Sequence, residues 1–122
     1  MGVSTHRDLV AWQEAMKLVE TVYRQTASFP KQETFGLTAQ MRRAAISVPS
    51  NIAEGAARNS PREFYQFSGI AAGSLAELET QVELAIRLNY LPGNAEALSQ
   101  VRRVGRLVNA LRNSFKNQPA RA

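Results

Sequence analysis

Leu9, Trp12, Met16, Val19, Tyr23 and Thr26 recur at alternating spacings of three and four residues, the seam of a packed helix. Ala11, Ala15, Leu18 and Val22 widen that apolar face. Thr5 is placed to cap this helix, with Asp8 in the first turn, where an acid suits the helix dipole. Pro30 ends it, because proline lacks the donor a helix needs and disfavours a helical predecessor. A second pattern starts near Glu33 or Thr34 and runs through Leu37, Met41, Ala44, Ala45, Val48 and Ile52. Pro49 lies inside it, which predicts a kink at a cost of roughly 3 kcal/mol. Ser60-Pro61-Arg62-Glu63 reads as the next start: serine as N-cap, proline at the first position, glutamate completing a capping box. Phe64, Phe67, Ala71, Leu75, Leu78, Val82, Ala85 and Leu88 follow, until Asn89 to Asn94 stop the helix and Asn94 caps the next. Leu98, Val101, Val104, Val108, Leu111 and Phe115 form the last seam.

The pattern predicts helices over roughly residues 6–28, 34–58, 61–89 and 95–116, with a frayed tail over 117–122. Short connections make this an all-α, antiparallel, up-down-up-down four-helix bundle. At 122 residues the chain is one domain with room for a real core.

Two features interrupt the bundle pattern. Arg43, Ser47, Asn51, Glu54 and Arg58 make a polar stripe along the second helix, which reads as a solvated face or a face toward a neighbour. Gly69 and Gly73 stand four apart in the third helix, each costing about 1 kcal/mol relative to alanine. Matching residues by distance from the second turn places Asn51 level with Ser68 and Gly69, and Arg42 and Arg43 level with Glu77. The polar stripe would then form a hydrogen-bonded seam between the second and third helices, closed tightly at the two glycines. The third turn, centred near Pro92, places Glu83 level with Arg102 and Glu79 with Arg106.

Charge changes the picture. The nine Lys/Arg residues up to Asn94 are matched by nine acids, so the net +5 comes entirely from the last segment. There Arg102, Arg103, Arg106, Arg112, Lys116 and Arg121 face Glu96 alone. A basic fourth helix suggests a polyanionic partner, RNA or DNA. Pairing of Arg102 and Arg106 with the third helix would weaken that role, leaving Arg103, Arg112, Lys116 and Arg121 available. The candidate nucleic-acid residues are accordingly Arg103, Arg112, Lys116, Arg102 and Arg106.

Catalytic chemistry is poorly provided for. There is no cysteine, and His6 is the only histidine, so thiolate and histidine-rich metal sites and di-iron bundle motifs have no ligands. Gly73-Ser74-Leu75 lacks the glycines of a nucleophile elbow, and no glycine-rich loop ends in Lys-Ser/Thr. Asn51, Glu54, Ser74 and Glu77 are the only convergent polar groups on offer. The expectation is no enzyme and no cofactor. No run approaches the roughly 18 apolar residues of a membrane span, and the Ser4 to Asp8 start is unlike a signal peptide, so a cytoplasmic protein is expected.

The run Leu37-Thr38-Ala39-Gln40-Met41-Arg42-Arg43-Ala44-Ala45-Ile46-Ser47-Val48-Pro49-Ser50-Asn51-Ile52-Ala53-Glu54-Gly55 resembles the bacterial four-helix-bundle family that includes proteins encoded by intervening sequences in 23S rRNA genes. Gly73-Ser74-Leu75-Ala76-Glu77-Leu78-Glu79-Thr80-Gln81, Asp8 to Gln13 and Phe29-Pro30 look like the same family. The match spans about Arg7 to Leu91, and Arg42, Arg43, Pro49, Asn51, Glu54, Gly55, Gly73, Ser74 and Glu77 carry the signature. Ser68-Gly69 departs from it, standing where members usually have bulkier residues. The resemblance implies an antiparallel bundle and ring-shaped homo-pentamers. A relative of similar fold, the accessory variability protein of diversity-generating retroelements, binds nucleic acid and a reverse transcriptase through a basic surface without catalysis. For the rRNA-encoded members the biochemical role is not established. Two functions follow as expectations: a non-enzymatic oligomeric bundle that binds RNA or DNA or acts as an adaptor, and a protein-protein scaffold that ignores nucleic acid.

Overall fold

Ser60 and Pro61 start the longest helix as their spacing predicts, with the Ser60 hydroxyl accepting from the Glu63 amide at 3.3 Å and proline in the first turn. The Glu63 side chain departs from the capping-box expectation. Its carboxylate faces Arg58, 3.8 Å away across the turn. In the computed structural model, which describes residues 5–116, the helices are α1 (Val10–Thr26), α2 (Leu37–Ala57), α3 (Pro61–Arg87) and α4 (Glu96–Asn113). The tail over 117–122 lies outside the described residues.

Each helix packs on its two neighbours around the square, α1 on α2, α2 on α3, α3 on α4 and α4 on α1, with no diagonal contact. This is the up-down-up-down four-helix bundle. Its core is aliphatic: Leu18, Val22, Met41, Val48, Ile52, Leu78, Val82, Val101, Val104 and Val108 are almost fully buried. No helix among the described residues is long and apolar enough to cross a membrane.

Four boundaries or faces differ from the sequence expectation. Thr5 and Asp8 do form a capping box, but on a separate 3-10 turn, His6–Asp8; extended Leu9 (φ −81°, ψ 124°) separates it from α1. On α1 the alanine-rich face is the one buried, with Ala11, Ala15, Leu18 and Val22 inside and Met16 and Tyr23 exposed. Small residues on that face let α1 lie close to the bundle axis, while Trp12 and Val19 cover the flank. A 3-10 turn, Lys31–Glu33, precedes α2, which begins at Leu37 and runs uninterrupted through buried Pro49. Asn94 does not cap α4. Ala95 holds that position without a side-chain bond, and the Gln25 side-chain Oε1 of α1 accepts from the Ala97 amide at 3.4 Å instead.

The α3–α4 connection explains a shift in register. Asn89 takes the left-handed conformation (φ 64°), and the Tyr90 amide donates back to the Ala85 carbonyl at 2.9 Å. Leu91 and Ala95 tuck into the core beneath the bundle end. Arg102 consequently meets Glu79 at 2.9 Å, one helical turn from the expected pairing with Glu83.

Candidate functional site

The basic residues of α4 do not form an open cationic stripe. Arg102 is tied to Glu79. Arg103, expected to stand free, donates to Glu14 of α1 at 3.0 Å. The α3-based matching missed this partner because α4 also packs on α1. Arg112, also expected to stand free, lies over the Tyr65 ring at 4.2 Å from its centroid. Its guanidinium covers Gly69, within 3.1 Å of where a β-carbon would sit. The departure at Ser68-Gly69 thus has a structural use: buried Ser68 bonds to its own helix at Tyr65, and Gly69 leaves a seat for Arg112. Arg106 and Lys116 are exposed and make no ion pair among the described residues; Arg106 borders a shallow groove between α3 and α4 with Arg102 and Glu79.

The Arg103 bond, then that of Lys17, holds the Glu14 carboxyl below its usual range. A depressed carboxyl contributes stability above its unfolded-state pKa and loses it as pH falls through the lowered folded value. In Arg103→Gln, an NMR titration of the Glu14 side chain is expected to move up toward the ordinary glutamate value. An unmoved titration would show that the pairing does not persist in solution.

The α2–α3 seam exists and is polar at its centre. Ser47 and Ser74 hydroxyls meet at 2.8 Å, and the Asn51 amide donates to the Ser47 carbonyl at 2.8 Å and its hydroxyl at 3.0 Å. The stripe is mixed: Ser47 meets α3 and half-buried Asn51 bonds back to it, whereas Arg43, Glu54 and Arg58 are exposed, the last two paired with each other at 3.1 Å. The expected closure at Gly69 and Gly73 is displaced. A β-carbon on Gly73 would meet nothing within 4 Å, and Gly69 serves α4. Close approach occurs at Gly55, where a β-carbon would come within 2.9 Å of that of Phe67. Arg42 turns the other way, to Thr26 (2.9 Å), the Tyr23 carbonyl (3.2 Å) and the Tyr23 ring. Arg43 and Glu77 line a depression of about 230 Å³ with Gln40, Ala44, Ser47 and Ser74.

One feature went unread in the sequence. Phe35, in the α1–α2 connection, is 96% exposed. Its loop is nonetheless well tied. The Glu33 carboxylate accepts from the Leu37 amide at 3.2 Å and from the Tyr90 hydroxyl at 2.9 Å, and the Gly36 amide donates to the Glu33 carbonyl at 3.0 Å. The bond to Glu33 pushes the Tyr90 phenol above its usual pKa, so it stays a donor at neutral pH. The Tyr90 ring also packs on Phe29, 5.3 Å between centroids. Beside Phe35, the residues Tyr23, Ala39 and Ile46 line a shallow groove. The only signal in the sequence is that Phe35 belongs to no helical seam.

No curated protein matches the chain. Among solved structures it resembles a protein of unknown function from the S23 ribosomal protein family of Bacteroides thetaiotaomicron, with a TM-score of 0.75 at 20% identity, over 84% of this chain and 97% of that one. At that identity the likeness speaks for the fold alone. The family described as 23S rRNA-intervening sequence protein matches residues 7–110, which include both signature runs and most of α4. The chain belongs to the 23S rRNA-intervening sequence protein family.

Proposed function

We propose that this protein is a non-enzymatic, self-assembling bundle that serves as an adaptor, and that the Phe35 loop is its principal contact. The observation that carries this is an aromatic side chain held almost wholly in solvent by a loop that is bonded on both sides. An exposed aromatic on a pre-ordered support is what an interface anchor needs, since little entropy is lost when it docks. Tyr23 and Ile46 beside it, and Leu84 and Leu88 on α3, supply further exposed apolar surface. A contact between different patches of successive copies generates a closed ring when the rotation closes, and the family resemblance favours a pentamer. The ion pairs of Arg102 and Arg103 and the ring contact of Arg112 compete with phosphate for these groups, which weighs against nucleic-acid binding.

Multi-angle light scattering on a sizing column tests the reading. The protein is expected to run as a defined oligomer and Phe35→Ser as a smaller species, since loss of an aromatic anchor costs about 2 kcal/mol per contact. A monomeric parent protein, or an unchanged oligomer in the variant, would sink the proposal. The second reading, RNA or DNA binding, rests on the residual net charge and on exposed Arg106 and Lys116. It predicts binding that weakens steeply with salt and that Arg106→Gln with Lys116→Gln reduces.

A further inference from the structure

The depression between α2 and α3 has a chemistry of its own, although its cation, Arg43, also borders the Phe35 groove. Its floor is the Ser47–Ser74 hydroxyl pair, and its rim carries one cation, Arg43, and one anion, Glu77. Arg43 lies one turn before Ser47 on α2, and Glu77 one turn after Ser74 on α3. The helices are antiparallel, so the two charges face each other at one level of the seam. Neither makes an ion pair or hydrogen bond among the described residues.

The hydrogen atoms of the floor can be followed. Asn51 presents its NH2 group to the Ser47 main-chain carbonyl, which can only accept, so the orientation of the amide is fixed. The same group donates to the Ser47 hydroxyl oxygen, and either serine can donate in the Ser47–Ser74 bond. Whichever does, the hydrogen of the other hydroxyl has no acceptor among the described residues and is left for the depression. The site therefore offers a hydroxyl donor and a guanidinium to an anionic group, and a carboxylate to a cationic one. A phosphate suits it badly, because Glu77 would oppose a second negative charge.

We propose that this depression binds a small zwitterion of the α-amino acid class. The ligand carboxylate takes Arg43 and the free hydroxyl hydrogen of the Ser47–Ser74 pair, and its ammonium takes Glu77. A volume of about 230 Å³ corresponds to roughly seven or eight waters at about 30 Å³ each, which is room enough for a small amino acid. The polar seam of the family signature then both joins α2 to α3 and orients the donor of the site.

Amide NMR shifts of Ser47, Ser74 and Glu77 in the full chain would be followed against glycine, alanine and glutamine, with acetate and methylammonium as half-ligands. At least one amino acid is expected to give saturable shifts in the millimolar range, stronger than either half-ligand. Arg43→Gln and Glu77→Gln, both surface changes, are each expected to weaken that binding about tenfold, the usual scale for losing one charge-assisted bond. Three results would overturn the proposal. These are that no amino acid saturates; that acetate matches the amino acids while Glu77→Gln changes nothing, which indicates a simple anion site; or that the two variants change the mass on the sizing column while leaving the titration untouched, which makes the depression a contact between copies.

Discussion

Gly55→Val is expected to unfold about 3 kcal/mol more easily than the parent protein, near the upper end for overpacking a tight interface. At Gly55 a β-carbon would lie 2.9 Å from the Phe67 β-carbon and 3.5 Å from the Phe64 α-carbon. Those atoms belong to or adjoin the backbone of α3 and cannot swing aside as a side-chain tip would. The two helices must therefore separate, which opens the Val48 and Ile52 packing beneath them. Better helix propensity returns only a part of this, about 1 kcal/mol at most for losing a glycine. Gly73→Ala is the control. It has the larger propensity gain and no neighbour within 4 Å, so it should stabilise by about 0.5–1 kcal/mol. Urea denaturation at one fixed protein concentration reads both, since assembly would otherwise shift the midpoint. Equal behaviour of the two variants would show that α2 and α3 do not close at Gly55.

Leu18→Ala should lose about 3 kcal/mol, and Met16→Ala less than about 0.5 kcal/mol. Both residues lie on apolar positions of α1, and periodicity makes Met16 part of the seam. Leu18 is fully buried, whereas Met16 is 41% exposed. A truncation at Leu18 leaves a cavity against a core that cannot collapse, while one at Met16 removes surface already in water. If Met16→Ala proved the costlier change in a monomer, the face of α1 would be turned from that described. If it were costly only in the assembled form, Met16 would belong to the contact between copies.

The site was legible in proportion to how local its causes are. Ser47, Asn51, Ser74 and Glu77 stood out because they interrupt an apolar period; hairpin counting put Arg43 level with Glu77, with which it lines the depression, but Asn51, placed level with Ser68 and Gly69, bonds to Ser47 of its own helix. Arg103 was misjudged because its partner, Glu14, is 89 residues away in the chain. Phe35 was missed because the sequence pattern placed it inside the second helix, over 34–58, whereas α2 begins at Leu37 and leaves it in the connection. Glu33 and Phe29 of that connection and Tyr90 of the α3–α4 connection build the loop from two segments distant in sequence.

By itself the sequence determined the number of helices, their stops and their antiparallel order. These rest on proline, on caps and on a 3.6-residue period, all of which act within a few residues. It also determined that α2 and α3 share a polar seam, since a short turn at Asn59-Ser60 leaves the pairing little freedom. Only the tertiary structure decided which face of α1 is buried, which glycine is the point of closest approach, and which arginines of α4 remain free. The physical reason is the same in each case. A helix carries several acceptable faces and long side chains with many possible partners, and the packing of the neighbouring helices selects among them.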